Sequence, residues 1–514
     1  MLDVSPLFQP VRHNVDVLAP RLCIIGVARC LRDLPHLPSP QILCDEYVPA
    51  AEGSQGASSR ESGATASCQL PATPNLTPLS SDSRPAPPRH AEDVFMPPDE
   101  FKKFATELGC NRCTGLQALC MDWTNLEAPA ELASALRTNT TLSALDINNA
   151  CLSQDDTQQL AEGIAENGRR SDGCISSIDL SNNDMRAGGA AAIVASLVGN
   201  PRVTSLRLAY NNLGVEGAKA IAKFLPGVSL TSLNLSGNAL RDGGIKALAK
   251  ALEGSGCIHI TELSLAHNGV TDSSVKCLAD SLVQRKACGV QGLGMLNVGY
   301  NMVRAAGARA LSFSSENGAG PNKLILRGNP IGDAGARALS RAAANGGLTA
   351  ADLHSCGIRT DGATALAKAL EQATCVLSSL DIGGNAVRAL GAEAIAAALR
   401  QGARWTLSSL DISRNGLGLE GVSKLASSVA LSSSLIHLNA RNNAVPEREL
   451  SELRKKVGCG GEALEMLSEA HVLALCMSGH KRLGNRSCAG WIDGALLHMI
   501  ASLTDTVVPR SVHL

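Results

Sequence analysis

The sequence predicts an α/β solenoid in which parallel strands line a concave face and helices cover a convex face. Two observations predict it. The pattern L-x-x-L-x-L-x-x-N-x-L occurs twelve times between Leu116 and Val445, and its Asn position recurs every 26 to 33 residues. An apolar pattern with helical spacing follows the copies, as in 215–225. Periods of about 20 to 50 residues are typical of stacked units that bury their apolar faces against each other.

The L-x-L part of each copy alternates as a strand does, so its leucines point into the core and the middle residue points to the concave face. The Asn that follows turns the chain, and its amide can satisfy backbone groups in the tight loop. This predicts a structural ladder of Asn183, Asn211, Asn238, Asn268, Asn301, Asn329, Asn385, Asn415 and Asn443. Thr124, Ala150 and Cys356 fill the slot in the other copies, and we expect the Ala150 turn to be the loosest because its side chain forms no hydrogen bond.

The helical half of each copy begins near an acidic residue in several repeats. Asp242, Asp272 and Asp333 stand where an N-cap would satisfy the first N–H groups of their own helices. Strands pair about 4.8 Å apart, whereas packed helices need about 8–10 Å. The stack is therefore expected to bend into a horseshoe with the strands inside.

Composition divides the chain. Fifteen of the 22 prolines lie at or before Pro98, and Asp99 and Glu100 follow as acids in the first turn of a helix. Residues 462–477 and 491–503 have the apolar content of two further helices. The predicted parts are a disordered Pro/Ser/Ala-rich region at 1–91, an N-terminal capping helix at 92–115, a repeat domain of about twelve repeats at 116–457, and a C-terminal helical cap and tail at 458–514.

Charge and composition exclude several classes of function. The net charge is −1 and aromatic residues make up 2%, which argues against nucleic-acid and membrane-surface binding. No apolar run approaches the roughly 18 residues of a membrane span. The 17 cysteines are scattered, which indicates reduced thiols in the cytoplasm or the nucleus. Cys110-x-x-Cys113 has no second pair to complete a zinc site.

The long repeat and the G-A-x-x-[LI]-A-x-x-L stretch resemble the ribonuclease-inhibitor-like class of leucine-rich repeats, over about 115–457. Within that class the chain resembles Ran GTPase-activating protein in repeat type and number, and it also resembles the repeat regions of NOD-like receptors. The phosphate-binding sequence G-x-x-x-x-G-K-[ST] is absent from the chain. The resemblance implies a surface that binds a protein partner, with activation of a Ran-like small GTPase or ligand sensing as alternatives.

The middle residues of L-x-L define the candidate partner-binding surface. They are Cys120, Asp146, Asp179, Arg207, Asn234, Ser264, Asn297, Ile325, Asp352, Asp381, Asp411 and Asn439. Asp352, Asp381 and Asp411 follow one another on neighbouring strands, about 5 Å apart. Their repulsion is about 1 kcal/mol per pair in water and about 3 kcal/mol at an effective dielectric near 20.

Two readings of this acidic surface remain open. Arg327, Arg414 and Arg441 would offset the repulsion and leave a solvated stripe, or a basic protein surface would bind there. Trp123, Tyr210 and Tyr300 stand just before the Asn slot, at the rim of the concave face. They are either contact anchors or residues packed against the next loop.

No catalytic constellation stands out in the sequence. His354 alternates with Asp352 and Cys356 on one strand, but the Cys356 sulfur is expected to point into the turn. The remaining histidines of the repeats have no nucleophile at a defensible spacing. The sequence therefore predicts a protein-binding scaffold or sensor, with His354 on its partner-binding face and with neither a catalytic site nor a cofactor or metal.

Overall fold

A computed structural model describes residues 98–113, 115–121, 129–253, 255–400, 406–431, 435–456 and 511–513. Its described residues form an α/β solenoid, as the repeat pattern predicts. The disordered region predicted at 1–91 and the helices predicted at 462–477 and 491–503 lie outside the described residues, as do Trp123 and Thr124.

One parallel sheet runs through the described repeats, and its strands pair in the order in which they follow along the chain. Helices or loops return the chain between strands, as parallel pairing requires. The strands are β1 Ala118–Cys120, β2 Ala144–Asp146, β3 Ser177–Asp179, β4 Ser205–Arg207, β5 Ser232–Asn234, β6 Glu262–Ser264, β7 Met295–Asn297, β8 Lys323–Ile325, β9 Ala350–Asp352, β10 Ser379–Asp381, β11 Ser409–Asp411, β12 His437–Asn439 and β13 Ser511–His513.

The helices form the second layer, and consecutive helices pack side by side. They are α1 Pro98–Gly109, α2 Pro129–Thr138, α3 Gln154–Arg169, α4 Arg186–Ser196, α5 Gly214–Phe224, α6 Arg241–Leu252, α7 Asp272–Ala287, α8 Ala305–Glu316, α9 Gly332–Ala344, α10 Thr360–Leu370, α11 Arg388–Arg400, α12 Gly418–Leu431 and α13 Glu447–Lys456. Short 3-10 turns at Leu225–Gly227 and Ser255–Cys257 follow α5 and α6.

The core lies between the two layers and is continuous from Phe101 to Leu453. The central residue of each short strand points into it, as Leu145 does at 1% exposure, while the residues on either side of that leucine are only partly buried. Burying one leucine contributes roughly 2–3 kcal/mol. Because each repeat buries its leucines against the next repeat, the repeats stabilise one another.

The asparagine ladder ties each repeat to the one before it. Asn238 donates from Nδ2 to the Leu208 carbonyl of the preceding repeat at 2.7 Å, and its Oδ1 accepts from the backbone N–H of Asn211 at 2.8 Å. Asn238 is fully buried. The same bonds to the preceding repeat recur along the ladder, for example at Asn415. The amide therefore satisfies turn groups that neither the sheet nor the helices reach.

The two described slots without Asn behave differently. The Sγ of Cys356 lies 3.2 Å from the Leu326 carbonyl and so takes over the donation that Nδ2 makes elsewhere. The sulfur points into the turn, as the sequence predicts. Ala150 has no such group, and its backbone N–H donates to Oδ1 of Asn183 in the next repeat at 3.0 Å.

The acidic residues at the helix starts correct one expectation. Asp272 and Asp333 do not cap their own helices. The Oδ1 of Asp333 instead accepts from the N–H groups of Arg359 and Gly362, at the start of α10 in the next repeat. A Cβ on Gly362 would lie 2.7 Å from that oxygen. Glycine therefore recurs at this point because the neighbouring repeat approaches so closely.

Asp242 also bonds to the next repeat. Its carboxylate accepts from the backbone N–H of Thr271 at 2.9 Å and from the hydroxyls of Thr271 and Ser274. The hydrogen bonds at the helix starts therefore join neighbouring repeats on the convex side, as the asparagines do near the sheet.

Both ends of the described solenoid carry additional elements. Helix α1 begins at Pro98 with Asp99 and Glu100 in its first turn, and its Phe104 is buried against the first repeat. At the other end, β13 pairs with β12, so a segment close to the C-terminus extends the sheet. Its sequence had not suggested a strand.

Candidate functional site: the concave face

The third residue of each strand from β1 to β12 points to the concave face, and strand pairing places these residues side by side. The register aligns Cys120 with Asp146, Asp146 with Asp179, and Asp179 with Arg207. Farther along, it aligns Asp352 with Asp381, Asp381 with Asp411, and Asp411 with Asn439. The residues that the sequence analysis assigned to this surface therefore form one continuous row.

Asp and Asn recur in this row for a local structural reason. The side-chain oxygen of Asp411 accepts from the backbone N–H of Ser413, two residues later, at 2.9 Å. Asn297 accepts from Gly299 N–H in the same way at 2.9 Å, and Asn234 accepts from Ser236 N–H at 3.0 Å. An amide therefore forms this bond as well as a carboxylate does. Where this bond forms, it uses a side-chain oxygen and does not need a negative charge.

Three neighbouring strands each carry an aspartate in the row. We call these residues, Asp352, Asp381 and Asp411, the acidic patch. Arg327 lies beside it, with Nε 3.6 Å from Asp352 Oδ2 and Nη2 3.5 Å from Asp381 Oδ2. Both contacts are longer than a charge-assisted hydrogen bond, and Nε of Arg327 is buried without a hydrogen-bond partner. One arginine thus offsets part of the charge of three carboxylates.

His354 and Gly383 shape the floor of the acidic patch. Nδ1 of His354 lies 3.4 Å from Oδ1 of Asp381. A Cβ added to Gly383 would lie 2.7 Å from that nitrogen, 2.9 Å from Oδ1 of Asp411 and 3.1 Å from Oδ1 of Asp381. The three side chains therefore converge above a residue that has no side chain of its own.

Arg414 does not take the neutralising role considered for it. It stands one position before the Asn slot, with φ of +53°, and its side chain is exposed at the rim. Among the described residues no ion pair joins it to the acidic patch, whereas Arg327 contacts two of the carboxylates. Within a repeat, the residue two positions after the concave-row residue, such as Arg327, points back over the concave face. The residue three positions after it, such as Arg414, does not. Arg441 occupies the former position, and its backbone N–H bonds to Asn439 Oδ1.

Burial and mutual repulsion raise the pKa values of two acids in the row. Burial, and then the charge of Asp381, raise the pKa of Asp352 above its usual range. At the N-terminal end, burial and then the charge of Asp179 raise the pKa of Asp146 to about 6. Arg207 lies 3.7 Å from Asp179 and provides partial compensation there. In both places the ionised form is destabilised by its surroundings.

An aromatic row, Tyr210, His267 and Tyr300, lines the rim next to the acidic patch. Tyr210 and Tyr300 are about half exposed, at 49% and 48%. His267 stacks on Tyr300 with ring centroids 4.4 Å apart, and it lies 6.3 Å from the ring of Tyr210. The tyrosine at 210 also covers Gly237 of the next repeat. Each ring therefore packs against a neighbouring repeat on one side and faces solvent on the other.

The aromatic row shares the left-handed backbone of other residues just before a slot, such as Asn182 and Arg414. All three residues lie in the left-handed region, with φ of +54°, +54° and +52°. Glycine occupies the same position at Gly237 and Gly328, without the strain that a side chain brings. A non-glycine residue there costs about 1 kcal/mol. Sequence reasoning did not single out His267, although its position just before an Asn slot matches that of the tyrosines.

The described residues were compared with three requirements: a reactive nucleophile, a metal site and a membrane-spanning helix. Burial raises the pKa of the Cys356 thiol to about 12, so the thiolate that a nucleophile needs does not form near neutral pH. Within the described part of the chain, no cluster of His, Cys, Asp and Glu has the arrangement of a metal site. The described helices include none with the length and apolarity to cross a bilayer.

A family model described as leucine-rich repeat matches residues 199–222, 228–249, 256–279, 322–340, 375–396 and 406–426. These segments are leucine-rich repeats. Each matched segment contains or adjoins a strand of the sheet and the helix that follows, so the match covers the same units that the structure stacks. A comparison with curated protein sequences found no match.

Several solved structures are similar to this chain. Rad7 or Elc1 from the yeast Rad7–Elc1 complex is similar at 15% identity and TM-score 0.35, covering 62% of this chain and 84% of its own. Internalin InlF from Listeria monocytogenes is similar at 15% identity and TM-score 0.36, covering 68% and 87%. The crystal structure of a TLR13–ssRNA13 complex is similar at 18% identity and TM-score 0.36, covering 60% of this chain and 37% of that one.

Proposed function

We propose that this protein is a non-enzymatic interaction scaffold whose concave face binds a protein with a Lys/Arg-rich surface. The observation that carries the proposal is the choice of aspartate at three neighbouring positions. Asn234, Asn297 and Asn439 make the same backbone bond in other repeats without a charge. The charges of the acidic patch are therefore not needed for the turn, and a cationic partner gives them a role.

The electrostatics of the patch favour such a partner. Arg327 contacts two of the carboxylates at 3.5 and 3.6 Å, and one arginine offsets only part of the charge of three aspartates. Burial, and then the charge of Asp381, raise the pKa of Asp352, so the described surroundings compensate its ionised form only in part. Lysine or arginine side chains of a partner would supply that compensation and would fix the register of binding.

The aromatic row supplies apolar anchors beside the charges. Tyr300 belongs to the repeat two strands before that of Asp352, so the nearest ends of the row and the patch are about 10 Å apart across the strands. Half-exposed tyrosine rings bury large areas on binding and attract cations to their faces.

The test is quantitative affinity purification with full-length variants. We expect the triple variant Asp352→Asn, Asp381→Asn and Asp411→Asn to retain the backbone bonds and to lose its partner by about tenfold or more in recovered amount. The matched control replaces Asp280, Asp361 and Glu371, which are exposed on the convex side, with the corresponding amides. An acidic-patch variant that recovers every partner as the wild type does would refute the proposal.

The finer assignment is to the ribonuclease-inhibitor-like class. A helix of 10 to 16 residues follows the described strands of the repeats, as in α2 and α3, and this supports the assignment. Activation of a Ran-like small GTPase and ligand sensing of the NOD-like-receptor type stay predictions from the resemblance. Phosphate release by a GTP-loaded Ran-like GTPase, measured with and without this protein, tests the first of them.

A further inference from the structure

Arg285, near the C-terminal end of α7, is a buried cation that the fold leaves partly unsatisfied. It is 1% exposed. Its Nε donates to the Gln291 carbonyl at 3.0 Å, and its Nη2 donates to the Ile260 carbonyl at 2.8 Å. Nη1 is buried without a hydrogen-bond partner. The ion pairs of the described residues include none to Arg285, so nothing there neutralises its charge.

The hydrogen bonds that Arg285 makes to backbone carbonyls do not need a cation. Asn167 stands at the same distance from the start of α3 as Arg285 does from the start of α7. It is 2% exposed, and its Nδ2 donates to the carbonyls of Leu136 and Asn139 in the preceding repeat. A neutral amide thus bridges to the preceding repeat equally well. The charge and the extra donor of Arg285 go beyond that task.

Arg285 also lines a cavity of about 300 Å³. The walls are Ile258, Thr261, Gly289, Val290, Gln291 and Gly292, from the loops that precede β6 and β7. Ile258 is 48% exposed and gives the cavity an apolar side. The aromatic row follows the strands, so the cavity and that row lie at opposite edges of the sheet. A site here is independent of the proposed concave-face function.

We propose that this cavity binds a carboxylate carried on a short aliphatic group. Nη1 of Arg285 would donate to the carboxylate, which also supplies the missing negative charge. Ile258 and Val290 would contact the aliphatic group. The apolar wall distinguishes such a ligand from inorganic phosphate, which has no group to place there.

Salt-dependent thermal unfolding of the full chain tests the assignment. Isovalerate, acetate, phosphate and chloride are compared at equal ionic strength. We expect isovalerate to raise the Tm with a saturating dependence, acetate to raise it less, and phosphate to act least of the three oxyanions. A larger effect of phosphate than of isovalerate would overturn the carboxylate assignment. Identical curves for all four salts would overturn the site itself.

Two charge-matched variants locate the site without removing Arg285. Gln291→Glu places a carboxylate at the cavity wall, where it competes with the ligand for the guanidinium. We expect isovalerate affinity, measured by calorimetry, to fall about tenfold or more. Gln284→Glu adds the same charge on an exposed position of α7 outside the cavity lining and should bind as the wild type does. Unchanged binding by Gln291→Glu, or equal losses in both variants, would exclude this cavity.

Discussion

Asparagine and aspartate hold the turns of most described repeats together, and they do so in two different places. Inside the turn, a buried Asn bonds to the preceding repeat. On the concave face, an Asp or Asn bonds to an N–H two residues later. The Asn of the first position both donates and accepts, whereas the Asp or Asn of the second position uses its acceptor oxygen for the bond. Charge is therefore free to vary on the concave face, where a partner can select for it.

The ladder predicts a large loss of stability from one substitution. Asn238→Ala removes donations to Leu208 and Leu235 and leaves the buried N–H of Asn211 without its acceptor. We expect the free energy of unfolding to fall by about 2–4 kcal/mol in urea. Gln159→Ala, on an exposed face of α3, is the control and should change it by less than about 0.5 kcal/mol. Equal effects of the two variants would contradict the ladder.

Asp146 predicts a pH dependence. Its pKa is about 6 in the folded chain and near 3.8 when unfolded, so the folded state binds more protons between these values. Stability from this group is therefore greatest below about pH 4 and is lost as the pH rises through about 6, by about 1–3 kcal/mol.

Asp146→Asn should remove that loss, because the amide still accepts from Asn148 N–H. Urea unfolding at pH 4.5 and pH 7.5 should show a smaller decline in the variant than in the wild type. Asp280→Asn on the exposed side of α7 should keep the wild-type decline. A parallel decline in Asp146→Asn would show that the carboxyl titrates normally.

At this scale the sequence predicted the ladder and the concave row, because both depend on a fixed position within the repeat. It did not predict which arginine meets the acids. Arg327 stands two residues before its Asn slot and Arg414 stands one residue before its own. That difference decides whether the side chain faces the patch or the rim. The pairing of side chains depends on the direction in which each side chain points, and the spacing of the repeats does not reveal that direction.

Among the elements, the short strands and the helices are joined by two sets of hydrogen bonds, one near the sheet and one at the helix starts. The sequence placed Asp272 and Asp333 at helix starts correctly but assigned them to the wrong helix. A pattern within one repeat does not reveal that the recipient is the next repeat. The same contact explains Gly307 and Gly362, since the carboxylates of Asp272 and Asp333 fill the space that their side chains would occupy.

The contacts between helices predict unequal effects of two aspartates at the same helix position. Asp333 is the second residue of α9 and bonds to two N–H groups of α10, whereas Asp361 is the second residue of α10 and is exposed. Asp333→Ala should therefore lower the free energy of unfolding by about 1–2 kcal/mol more than Asp361→Ala does. Equal losses in thermal or urea unfolding would mean that the bonds to α10 do not contribute.

At the scale of the whole molecule, the described repeats share one continuous core, and the sheet presents one uninterrupted row of side chains. The acidic patch, the aromatic row and the neutral strands between them are therefore held at fixed spacings by the backbone. Such a surface suits a partner that binds along several strands at once. The fold class followed from periodicity, whereas β13 did not, because its pairing with β12 joins segments that are distant in the sequence.

Carboxyl footprinting of the full-length protein, with and without a partner recovered by affinity purification, tests the central claim most directly. The carboxylates are labelled with a carbodiimide and an amine, and the modified sites are quantified by mass spectrometry. We predict that a bound partner protects Asp352, Asp381 and Asp411 and leaves the convex-side carboxylates Asp280 and Glu371 as reactive as before. Protection of Asp280 and Glu371, with no change at the acidic patch, would contradict a partner-binding concave face.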